Sequence, residues 1–512
     1  MIQSSSKLTV RLAESDNVVL ARTEIAAGTA LPEAGANALQ AIPAGHKLAA
    51  RAIRKGEPVI KCGIAIGRAA EDVPAGGWVH AHNLAADDAA SDAPGAAVCA
   101  STSLQAVPAA QRATFQGFVR ADGRVATRNY IGVFVVGNCG ATAARKVADW
   151  FTESRLAAYP NVDGVVPFVH EIGCGMEMTG EPMDLLRRTL SGTIRNPNIA
   201  GALVIALGCE RNNIYGFLEQ EKLAAGPCLK TLVMQEIGGT ANTIEAGIAI
   251  VEQMLPAANA HVRQPVCAEH LVVGLQSAGP DGLCAISANP ALGAAVDLLV
   301  AHGGTAILSE TVDLVSLGQR FTARAATPEV ASQLAQRIAW WRQYHAGRDT
   351  QLNRRVRADG DASGLSNALE KAASGVRRAG SSPVTAVYEY AHPVTARGLV
   401  FMDAPSYEAV SATGQIAAGA NLICLSTGTG SGFGALPAPT IKLASNTRTF
   451  TRMEDDLDID CGPVVDGEAT VSEMGQRIFA QMLRHASGEK TRSEALGVGE
   501  NEFVPWPIGV LA

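Results

Sequence analysis

Two histidines near the N-terminus, His80 and His82, stand two residues apart at the end of a strand-like run. Side chains at positions i and i+2 of a β-strand lie on the same face, so both imidazoles could bind one metal ion. His46, which follows a Pro-Ala-Gly turn, is a possible third partner of the pair. The alternative is a pair of surface histidines without a ligand.

Three cysteines, Cys139, Cys174 and Cys209, follow strand-like runs at intervals of 35 residues. That interval is about one β-α-β unit. Because successive parallel strands often neighbour one another, their carboxyl ends could bring the three sulfurs to one edge of a sheet. Three soft ligands suit iron, or an iron–sulfur cluster with one open iron position. The alternative is that each cysteine is a small buried residue in a tight turn.

An arginine-rich turn precedes the first strand of the α/β region. It contains Arg120, Arg124 and Arg128, and Asn129 follows the last of them. Guanidinium groups bind carboxylates through paired hydrogen bonds, so this turn could bind the carboxylate of a substrate. A solvated charged turn without a ligand explains the same residues equally well.

A loop rich in glycine and hydroxyl groups covers residues 426–434, and Lys442 follows it in the next strand-like run. Glycines and hydroxyls let backbone N–H groups approach an anionic oxygen, so Thr427 and Lys442 are predicted to bind a carboxylate or a polyol. The loop lacks the Gly-Lys-Ser/Thr of a Walker loop and the β-α-β context of a dinucleotide site. A plain flexible loop is the alternative.

The stretch 277–290 is the most favourable position for chemistry in the chain. It is rich in small and turn residues and lies between a buried strand-like run, residues 271–275, and a predicted helix. In open α/β sheets, ligands usually bind in such loops. Asp281 is its only acid, and Ser277 is its first residue. His170, just after another strand-like run, is a second acid–base candidate.

The pattern of strand-like runs divides the chain into four segments. Residues 1–84 contain short strands and glycine turns, which indicates a small β-rich, barrel-like module. Residues 85–112 are rich in Ala, Asp, Ser and Pro, as in a flexible linker. Apolar runs alternate with helical segments in 113–260 and again in 261–512. The fold class is therefore predicted as α/β, with two lobes built on mostly parallel sheets.

Composition narrows the possible functions. The 512-residue chain has a net charge of −7 and no Lys/Arg-rich run, which argues against nucleic-acid binding. No signal-peptide core and no apolar run of the ~20 residues that cross a bilayer are visible, so no membrane is expected. The ten cysteines include no Cys-x-x-Cys pair, which favours reduced cytoplasmic thiols. We expect a cytoplasmic homo-oligomer, a dimer, and acidic small-molecule substrates are compatible with this composition.

Taken together, these stretches resemble the altronate dehydratase and galactarate dehydratase family of sugar-acid dehydratases, over nearly the whole chain. The N-terminal part looks like the SAF-type domain of that family. The motifs that carry the resemblance are Gly45-His46-Lys47, His80-Ala81-His82-Asn83, Arg120-Ala121-Asp122-Gly123-Arg124, Thr127-Arg128-Asn129, Gly173-Cys174-Gly175, Leu207-Gly208-Cys209, Ile286-Ser287-Ala288-Asn289-Pro290-Ala291, Pro439-Thr440-Ile441-Lys442 and Arg452-Met453-Glu454-Asp455-Asp456.

The resemblance implies a divalent metal, Fe²⁺ before Mn²⁺, with an iron–sulfur cluster as the remaining alternative. A hydroxy acid would lose water across C2 and C3 and become a 2-keto-3-deoxy acid. Metal and arginines would stabilise the enediolate while a base removes the proton and an acid protonates the leaving hydroxyl. The expected roles are His80 and His82 on the metal, Arg124 and Arg128 on the substrate carboxylate, and His170 or His46 as the base. Asp281 is expected near the metal or the substrate hydroxyl.

The chain departs from the family in one motif. The family usually has Lys-Cys-Gly-Gly-Ser-Asp where this chain has Gln276-Ser277-Ala278-Gly279-Pro280-Asp281. The aspartate is kept, but a cation and a thiol are lost, and serine is a harder and weaker metal ligand than thiolate. This departure predicts a changed substrate and leaves two alternatives open. One is release of sulfite from a sulfonated hydroxy acid, and the other is a sugar-acid-binding relative without catalysis.

Overall fold

The computed structural model describes residues 4–5, 8–85, 104–347, 356–357, 360–361 and 363–508. Of the predicted linker, 85–112, the described residues are 85 and 104–112. The rest of that prediction lies outside the described part of the chain.

The N-terminal module is built from short β-strands, as predicted. They are β1 (Ser4–Ser5), β2 (Thr9–Arg11), β3 (Val18–Ala21), β4 (Ala30–Leu31), β5 (Ala36–Asn37), β6 (Lys47–Ala49), β7 (Pro58–Lys61), β8 (Ile64–Ala69), β9 (Trp78–Val79) and β10 (Leu84–Ala85). One sheet has the order β1-β2-β3-β6-β9 and another the order β10-β8-β7, with antiparallel pairing throughout. Apolar side chains of β3 and β6 form the core between them.

The second domain is a parallel sheet covered by helices on both faces. Its strands are β11 (Thr114–Val119), β12 (Val125–Ala126), β13 (Tyr130–Val135), β14 (Gly164–Phe168), β15 (Ile199–Ala206) and β16 (Leu229–Val233), and its helices are α1 (Ala141–Trp150), α2 (Glu153–Leu156), α3 (Glu181–Ile194), α4 (Ile214–Gln220), α5 (Met234–Ile237) and α6 (Thr240–Asn259). The four central strands have the order β14-β13-β15-β16. Helices α1 and α6 pack on one face, and α3 and α4 on the other. Burial of both faces explains why β13 is apolar along its whole length.

The C-terminal domain contains a seven-stranded parallel sheet with the order β22-β23-β19-β18-β24-β25-β26. The strands from residue 263 onward are β17 (Arg263–Cys267), β18 (Val272–Ala278), β19 (Thr305–Leu308), β20 (Val356–Arg357), β21 (Gly360–Asp361), β22 (Val384–Tyr388), β23 (Gly398–Met402), β24 (Leu422–Thr427), β25 (Thr440–Ala444) and β26 (Ile459–Asp460). The helices are α7 (Ala288–Ala301), α8 (Thr311–Val315), α9 (Gln319–Thr322), α10 (Pro328–His345), α11 (Ala368–Gly375), α12 (Glu408–Ala417), α13 (Thr447–Arg452), α14 (Gly462–Asp466), α15 (Val471–Ala486) and α16 (Arg492–Leu496). Helices α7 and α15 cover one face, and α10 and α12 the other.

The predicted boundary between residues 260 and 261 cuts through one small sheet. Strand β17 pairs antiparallel with β11, and β12 completes this sheet on the other side of β11. Residues 263–267 therefore belong with the start of the second domain, and the chain enters the large sheet only at β18. Local apolar patterning does not reveal such a return, because the two paired strands are far apart in the sequence.

One stretch of the described residues, 282–301, is long and apolar enough to cross a membrane by length and composition. Within it, 78% of the window is buried inside the protein. Most of it is α7, which packs between the large sheet and α15 in the main hydrophobic core. Its apolar character is explained by this packing.

Candidate active site at the junction of the N-terminal module and the large sheet

Asp281 lies just beyond the carboxyl end of β18, beside the ends of β24 and β25. Its carboxylate accepts hydrogen bonds from the backbone N–H of Cys284 at 2.8 Å and from the hydroxyl of Ser445 at 3.0 Å. The side-chain amide of Asn446 donates to it at 3.4 Å. A Cβ on Gly428 would overlap the carboxylate, so glycine lets the loop after β24 lie against it. Burial raises the pKa of Asp281, and a carboxyl with a raised pKa suits a general base.

The turn of the N-terminal module that carries His46 packs directly on the residue after Asp281. A Cβ on Gly282 would overlap the carbonyl oxygen of Gly45. Gly45 has a φ of 81°, a left-handed conformation that glycine adopts without strain. The two backbones therefore meet with no side chain between them, and His46 is the next residue of the chain after this contact.

A third segment, residues 363–366, completes this junction. The N–H of Gly282 donates to the carbonyl oxygen of Ser363 at 2.7 Å. A Cβ on Gly364 would lie 2.6 Å from the carbonyl oxygen of Gly45. Glycine thus stands at each of the three points where the module, the Asp281 loop and this segment touch.

The hydrogen bond from Trp78 defines the tautomer of His46. Nε1 of the indole lies 3.2 Å from Nδ1 of His46, and an indole N–H can only donate. Nδ1 of His46 is therefore an acceptor, and the neutral ring carries its proton on Nε2. The ring is fully buried. In this tautomer Nε2 of His46 carries the proton and is neither a base nor a metal ligand, which argues against both predicted roles.

His80 lies against His46, with ring centroids 5.0 Å apart, and stacks on the indole of Trp78. Its Nδ1 lies 3.3 Å from the hydroxyl oxygen of Ser366. That oxygen accepts a hydrogen bond from Nζ of Lys47 at 2.6 Å, so the Ser366 proton can go to Nδ1 of His80. Strand β9 ends before His80, so the two-residue period of a strand does not place His80 and His82 on one face. The predicted metal-binding pair is not formed in this structure.

A buried carboxylate fixes the module to the C-terminal domain. Glu370 of α11 lies 2.9 Å from Nζ of Lys47 and 2.6 Å from Nζ of Lys61. All three side chains are at most 2% exposed. Burial alone would raise the pKa of Glu370, but the two lysine charges outweigh it and lower the pKa.

Two of the three predicted cysteines come together at the carboxyl edge of the second-domain sheet. Sγ of Cys139 lies 3.6 Å from Sγ of Cys174. Burial first, and then the neighbouring Cys139, Glu210 and Cys209, raise the pKa of Cys174 to about 11. A Cβ on Gly137 would lie 2.8 Å from Cγ of Glu210 and 3.4 Å from Sγ of Cys174, so glycine leaves room for both side chains.

The cysteine pair fits two ligand positions of a metal ion. Two thiolates on a tetrahedral ion with metal–sulfur bonds of ~2.3 Å lie about 3.8 Å apart, close to the separation of Cys139 and Cys174. Throughout the described ranges, no three His, Cys, Asp or Glu side chains are grouped so that they could hold an ion. The structure thus offers two sulfur ligands and does not assemble the predicted three-cysteine set.

His170 lies at the same edge, in a cleft of about 620 Å³ that Tyr407 and Phe503 also line. Its Nε2 is 3.0 Å from the carbonyl oxygen of Val135, which only accepts, so Nε2 carries the proton. Burial lowers the pKa of His170 to about 4. A base of that pKa is weak near neutral pH, and its remaining Nδ1 is buried.

Arg120 and Asn129, predicted to bind substrate, bind each other. Nη1 of Arg120 donates to Oδ1 of Asn129 at 2.8 Å, and its Nε donates to the carbonyl oxygen of Pro197 at 2.8 Å. Burial lowers the pKa of Arg120 to about 10. Both side chains are buried and hold neighbouring backbone segments together, so their role is structural.

Arg128 also forms an internal ion pair. Its Nε lies 2.6 Å from Oε1 of Glu494 on α16, and its Nη1 donates to the carbonyl oxygen of His485 at 2.7 Å. Arg124 is exposed and pairs with Asp122 at 2.6 Å, away from Asp281. The predicted arginine fork is not formed, because the partner of Arg128 comes from the far end of the chain.

Lys442 lies on β25, in register with Leu425 of β24 and Gln276 of β18. Its side chain is fully buried, and Nζ has no hydrogen-bond partner among the described residues. Burial lowers the pKa of Lys442, although Asp456 oppositely favours its charged form. Thr427, at the end of β24, is buried and accepts a hydrogen bond from Gly430.

The altered family motif lies mainly under α12. The side-chain amide of Gln276 donates to Oγ of Ser411 at 2.9 Å and to Oε1 of Gln415 at 2.7 Å. The next residue, Ser277, is half-buried and pairs with Ser426. Position 276, where the family usually has lysine, therefore lies in the packing of β18 against α12.

Several residues of this site were not predicted from the sequence: Trp78, Lys47, Lys61, Ser366, Glu370, Ser445 and Asn446. From its sequence, the polar segment from about 342 to 382 is predicted to be an excursion between elements. Its local pattern does not indicate that Ser366 and Glu370 contact the N-terminal module. Ser445 and Asn446 could have been predicted as site residues, because they follow an apolar strand at the same sheet edge as Asp281.

The fold consists of three parts, and comparison with known proteins identifies its family. Family models match the chain in order: the altronate/galactarate dehydratase SAF domain at residues 7–87, the second domain of D-galactarate dehydratase/altronate hydrolase at 117–259, and the D-galactarate/altronate dehydratase C-terminal domain at 268–511. The chain belongs to the D-galactarate/altronate dehydratase family, a family of hydro-lyases. The predicted resemblance and the α/β fold class are confirmed.

Individual relatives align over different parts of the chain. Galactarate dehydratase (L-threo-forming) of Escherichia coli (strain K12) is 31% identical over 98% of this chain and 97% of its own length. Altronate dehydratase of Bacillus subtilis (strain 168) is 28% identical over 95% of this chain and 96% of its own. The (2R)-sulfolactate sulfo-lyase subunit beta of Chromohalobacter salexigens is 30% identical over 76% of this chain and 96% of its own.

Proposed function

We propose that this protein dehydrates a small hydroxylated carboxylate of the aldonate or aldarate type to a 2-keto-3-deoxy acid. The observation that carries the proposal is the packing of the His46 turn on the residue after Asp281. His46 follows Gly45 in that turn, its neutral ring carries its proton on Nε2, and burial raises the pKa of the Asp281 carboxyl group. These are the groups that removal of a weakly acidic proton next to a carboxylate requires.

One carboxylate can carry out the proton transfers of this reaction. Asp281 takes the proton from the carbon next to the substrate carboxylate, and the C–O bond of the neighbouring carbon breaks. Asp281 then returns that proton to the departing hydroxyl, which leaves as water. The N–H of His46 donates a hydrogen bond to the enediolate oxygen as charge develops there. The enol product takes up a proton at carbon and becomes the 2-keto acid.

The substrate carboxylate needs a cationic or N–H-rich site on the same edge of the sheet. The loop after β24 supplies backbone N–H groups next to Asp281, with Gly428 against its carboxylate. Lys442 supplies a buried cation behind this loop. We assign substrate binding to these groups and to Thr427, and not to Arg120 or Arg128.

The proposal includes a divalent metal ion, with Fe²⁺ preferred over Mn²⁺. The pair Cys139 and Cys174 fits two ligand positions, and thiolates are soft ligands that favour iron. The bound ion would act as a Lewis acid toward carboxylate or hydroxyl oxygens. The remaining positions would be filled by water or substrate.

Release of sulfite is the second candidate activity, because one relative is a (2R)-sulfolactate sulfo-lyase subunit. That relative aligns over 76% of this chain, whereas the dehydratase relatives align over 95% to 98%. This difference favours loss of water over loss of sulfite.

The test is a substrate screen with the full chain after anaerobic iron loading. Aldonates and aldarates are assayed for a 2-keto-3-deoxy product, and sulfolactate is assayed for sulfite. We expect keto-acid formation from at least one sugar acid and none by the Asp281→Asn variant. Sulfite release without dehydration of any sugar acid, or full turnover by Asp281→Asn, would contradict the proposal.

A further inference from the structure

A second large cleft lies between the second domain and the C-terminal domain, at the end of the sheets opposite to Asp281. Its volume is about 820 Å³, and it is lined by Val272, Thr305 and Asn421 at the amino ends of β18, β19 and β24. Strand β18 is seven residues long, so the cleft and the Asp281 loop lie about 20 Å apart along the strand. Because catalytic ligands of parallel sheets bind at the carboxyl ends, this cleft is separate from the proposed active site.

The cleft is rich in positive charge, although the whole chain has a net charge of −7. Four arginines line it, against two carboxylates, Asp184 and Glu221. The arginines are Arg124, Arg188, Arg195 and Arg397. Glu221 lies 3.9 Å from Arg195, and Asp122 lies 2.6 Å from Arg124, so the charges of these two arginines are neutralised locally. The remaining two, Arg188 and Arg397, come from the second domain and the C-terminal domain.

Arg188 of α3 is held in place and still has donors available. Its Nε donates to the carbonyl oxygen of Tyr390 at 2.8 Å, and its Nη1 donates to Nε2 of His392 at 2.9 Å. Glu389 is 4.0 Å from the same Nη1. Nη2 has no hydrogen bond to the described residues, and the side chain is 21% exposed. A guanidinium that is fixed through Nε and Nη1, with Nη2 still able to donate, is suited to binding an anionic oxygen.

Arg397, from the C-terminal domain, is placed in the same way. Its Nη1 donates to the carbonyl oxygen of Glu269, which leaves Nε and Nη2 without hydrogen bonds to the described residues. The side chain is exposed to the cleft solvent. Arg188 and Arg397 thus offer donors from two different domains to one volume.

We propose that this cleft is a second ligand site, for a small polyanion whose carboxylate or phosphate oxygens bind between Arg188 and Arg397. Several anionic oxygens are required, because the two arginines belong to different domains that line one cleft. Such a ligand holds the second domain and the C-terminal domain in their present arrangement. The site therefore binds a ligand that is not the substrate bound at Asp281, and it does not depend on the proposed dehydration.

The experiment is calorimetric titration of the full chain with pyrophosphate and, separately, with citrate, at constant ionic strength and against a chloride control. Thermal unfolding with each anion is recorded in parallel. We expect saturable binding of at least one polyanion and a rise in the unfolding midpoint. The Arg397→Gln variant and the Arg188→Gln/Arg397→Gln double variant should weaken binding about tenfold or more. The control is Arg477→Gln, an exposed arginine of α15 outside the lining.

The outcomes separate the possible sources of binding. Preference for pyrophosphate identifies a phosphate ligand, and preference for citrate identifies a carboxylate ligand. The Asp281→Asn variant should bind the same anion as tightly as the unmodified chain. Equal binding by Arg397→Gln and the unmodified chain, loss of binding in Asp281→Asn, or no saturable binding of either anion would overturn the proposal. Arg397 is exposed, so its replacement tests the site without disturbing the fold.

Discussion

The carboxylate of Glu370 lies 2.9 Å from Nζ of Lys47, although the two residues are 323 positions apart in the chain. Lys47 directly follows His46, so this buried ion pair holds the His46 turn against the large sheet. The second partner of Glu370, Lys61, lies at 2.6 Å on β7, a strand of the other sheet of the module. The position of the imidazole at the active site thus depends on one carboxylate of another domain.

Replacing this carboxylate should release the N-terminal module. In Glu370→Gln, two buried lysines lose their counter-charge, and we expect a loss of about 3–5 kcal/mol in the free energy of unfolding. The measurement is denaturant unfolding followed by circular dichroism. The matched control is Glu57→Gln, which removes an exposed pair with Arg51 and should leave stability unchanged within error.

The pH dependence of stability tests the contact of Glu370 with the two lysines independently. The pKa of Glu370 is lowered in the folded state, so its contribution is full above the unfolded pKa of ~4.3 and is lost as the pH falls toward the folded value. The stability difference between the unmodified chain and Glu370→Gln should therefore shrink below about pH 4. A difference that stays constant through this range would show that Glu370 is not the charged partner of the lysines.

The indole N–H of Trp78 should be needed for the N–H donor of His46. Trp78→Phe keeps an aromatic ring beside His80 but removes the donor to Nδ1 of His46, so Nε2 no longer has to carry the proton. We expect kcat to fall about tenfold, the value of one hydrogen bond, with little change in KM. Nitrogen-15 chemical shifts of the imidazole report the tautomer directly. Trp150→Phe, at a 41% exposed position, is the control.

Asp281 should be indispensable for catalysis and dispensable for folding. Asp281→Asn keeps the size of the side chain and loses the base, so we expect kcat to fall about 100-fold or more. Steady-state turnover of the substrate found in the screen is the measurement, with the unfolding midpoint recorded beside it. Asp313→Asn, which removes an ion pair with Lys371, should keep turnover. Comparable losses in the two variants would remove Asp281 from the mechanism.

Arg128 should affect stability and leave substrate affinity unchanged. Arg128→Met leaves Glu494 buried without a counter-charge, which should cost about 3–5 kcal/mol in unfolding free energy. The double variant Arg128→Met/Glu494→Gln should recover part of this loss, because no charge then remains unpaired. KM of the folded fraction should match the unmodified chain. A raised KM with normal stability would restore the predicted carboxylate-binding role.

The cysteine pair should determine metal content. In the double variant Cys139→Ser/Cys174→Ser, both thiolates are replaced by weaker, harder ligands, so we expect most of the bound iron to be lost. Metal analysis after anaerobic loading is one measurement. The thiolate-to-metal absorption band of the cobalt-loaded protein is a second, independent of activity. Cys228→Ser, at an exposed cysteine, should keep both signals. Full metal content in the double variant would exclude the pair as ligands.

Sequence patterns predicted those parts of this protein that depend on neighbouring residues or on regular sheets. The apolar run 271–275 marked β18, and the rule for the ends of parallel strands correctly brought Cys139 close to Cys174. Local sequence patterns could not predict the contact of Arg128, because its partner Glu494 is 366 residues away. The contacts of Glu370 were not predicted for the same reason, because its partners Lys47 and Lys61 are 323 and 309 positions away in the sequence. Burial and long-range ion pairing are properties of the assembled chain.

The alternation of side chains along a β-strand does not apply to His80 and His82, because β9 ends before them. Two residues that alternate in a strand face the same side only while the strand continues, and β9 stops at Val79. His46, in contrast, lies in an environment set by Trp78 and by the Gly45 turn. The residue types at the site were therefore predictable, and their pairing was not.

The meeting of Gly45, Gly282 and Gly364 also limits how the N-terminal module can be exchanged. A module grafted from another protein would seat on the large sheet only if all three positions stayed without side chains. Methyl groups introduced at the seam would hold the imidazole away from Asp281 even if each part folded correctly. Interchange of modules in this architecture thus requires matched glycines in recipient and donor, two on the large sheet and one on the module.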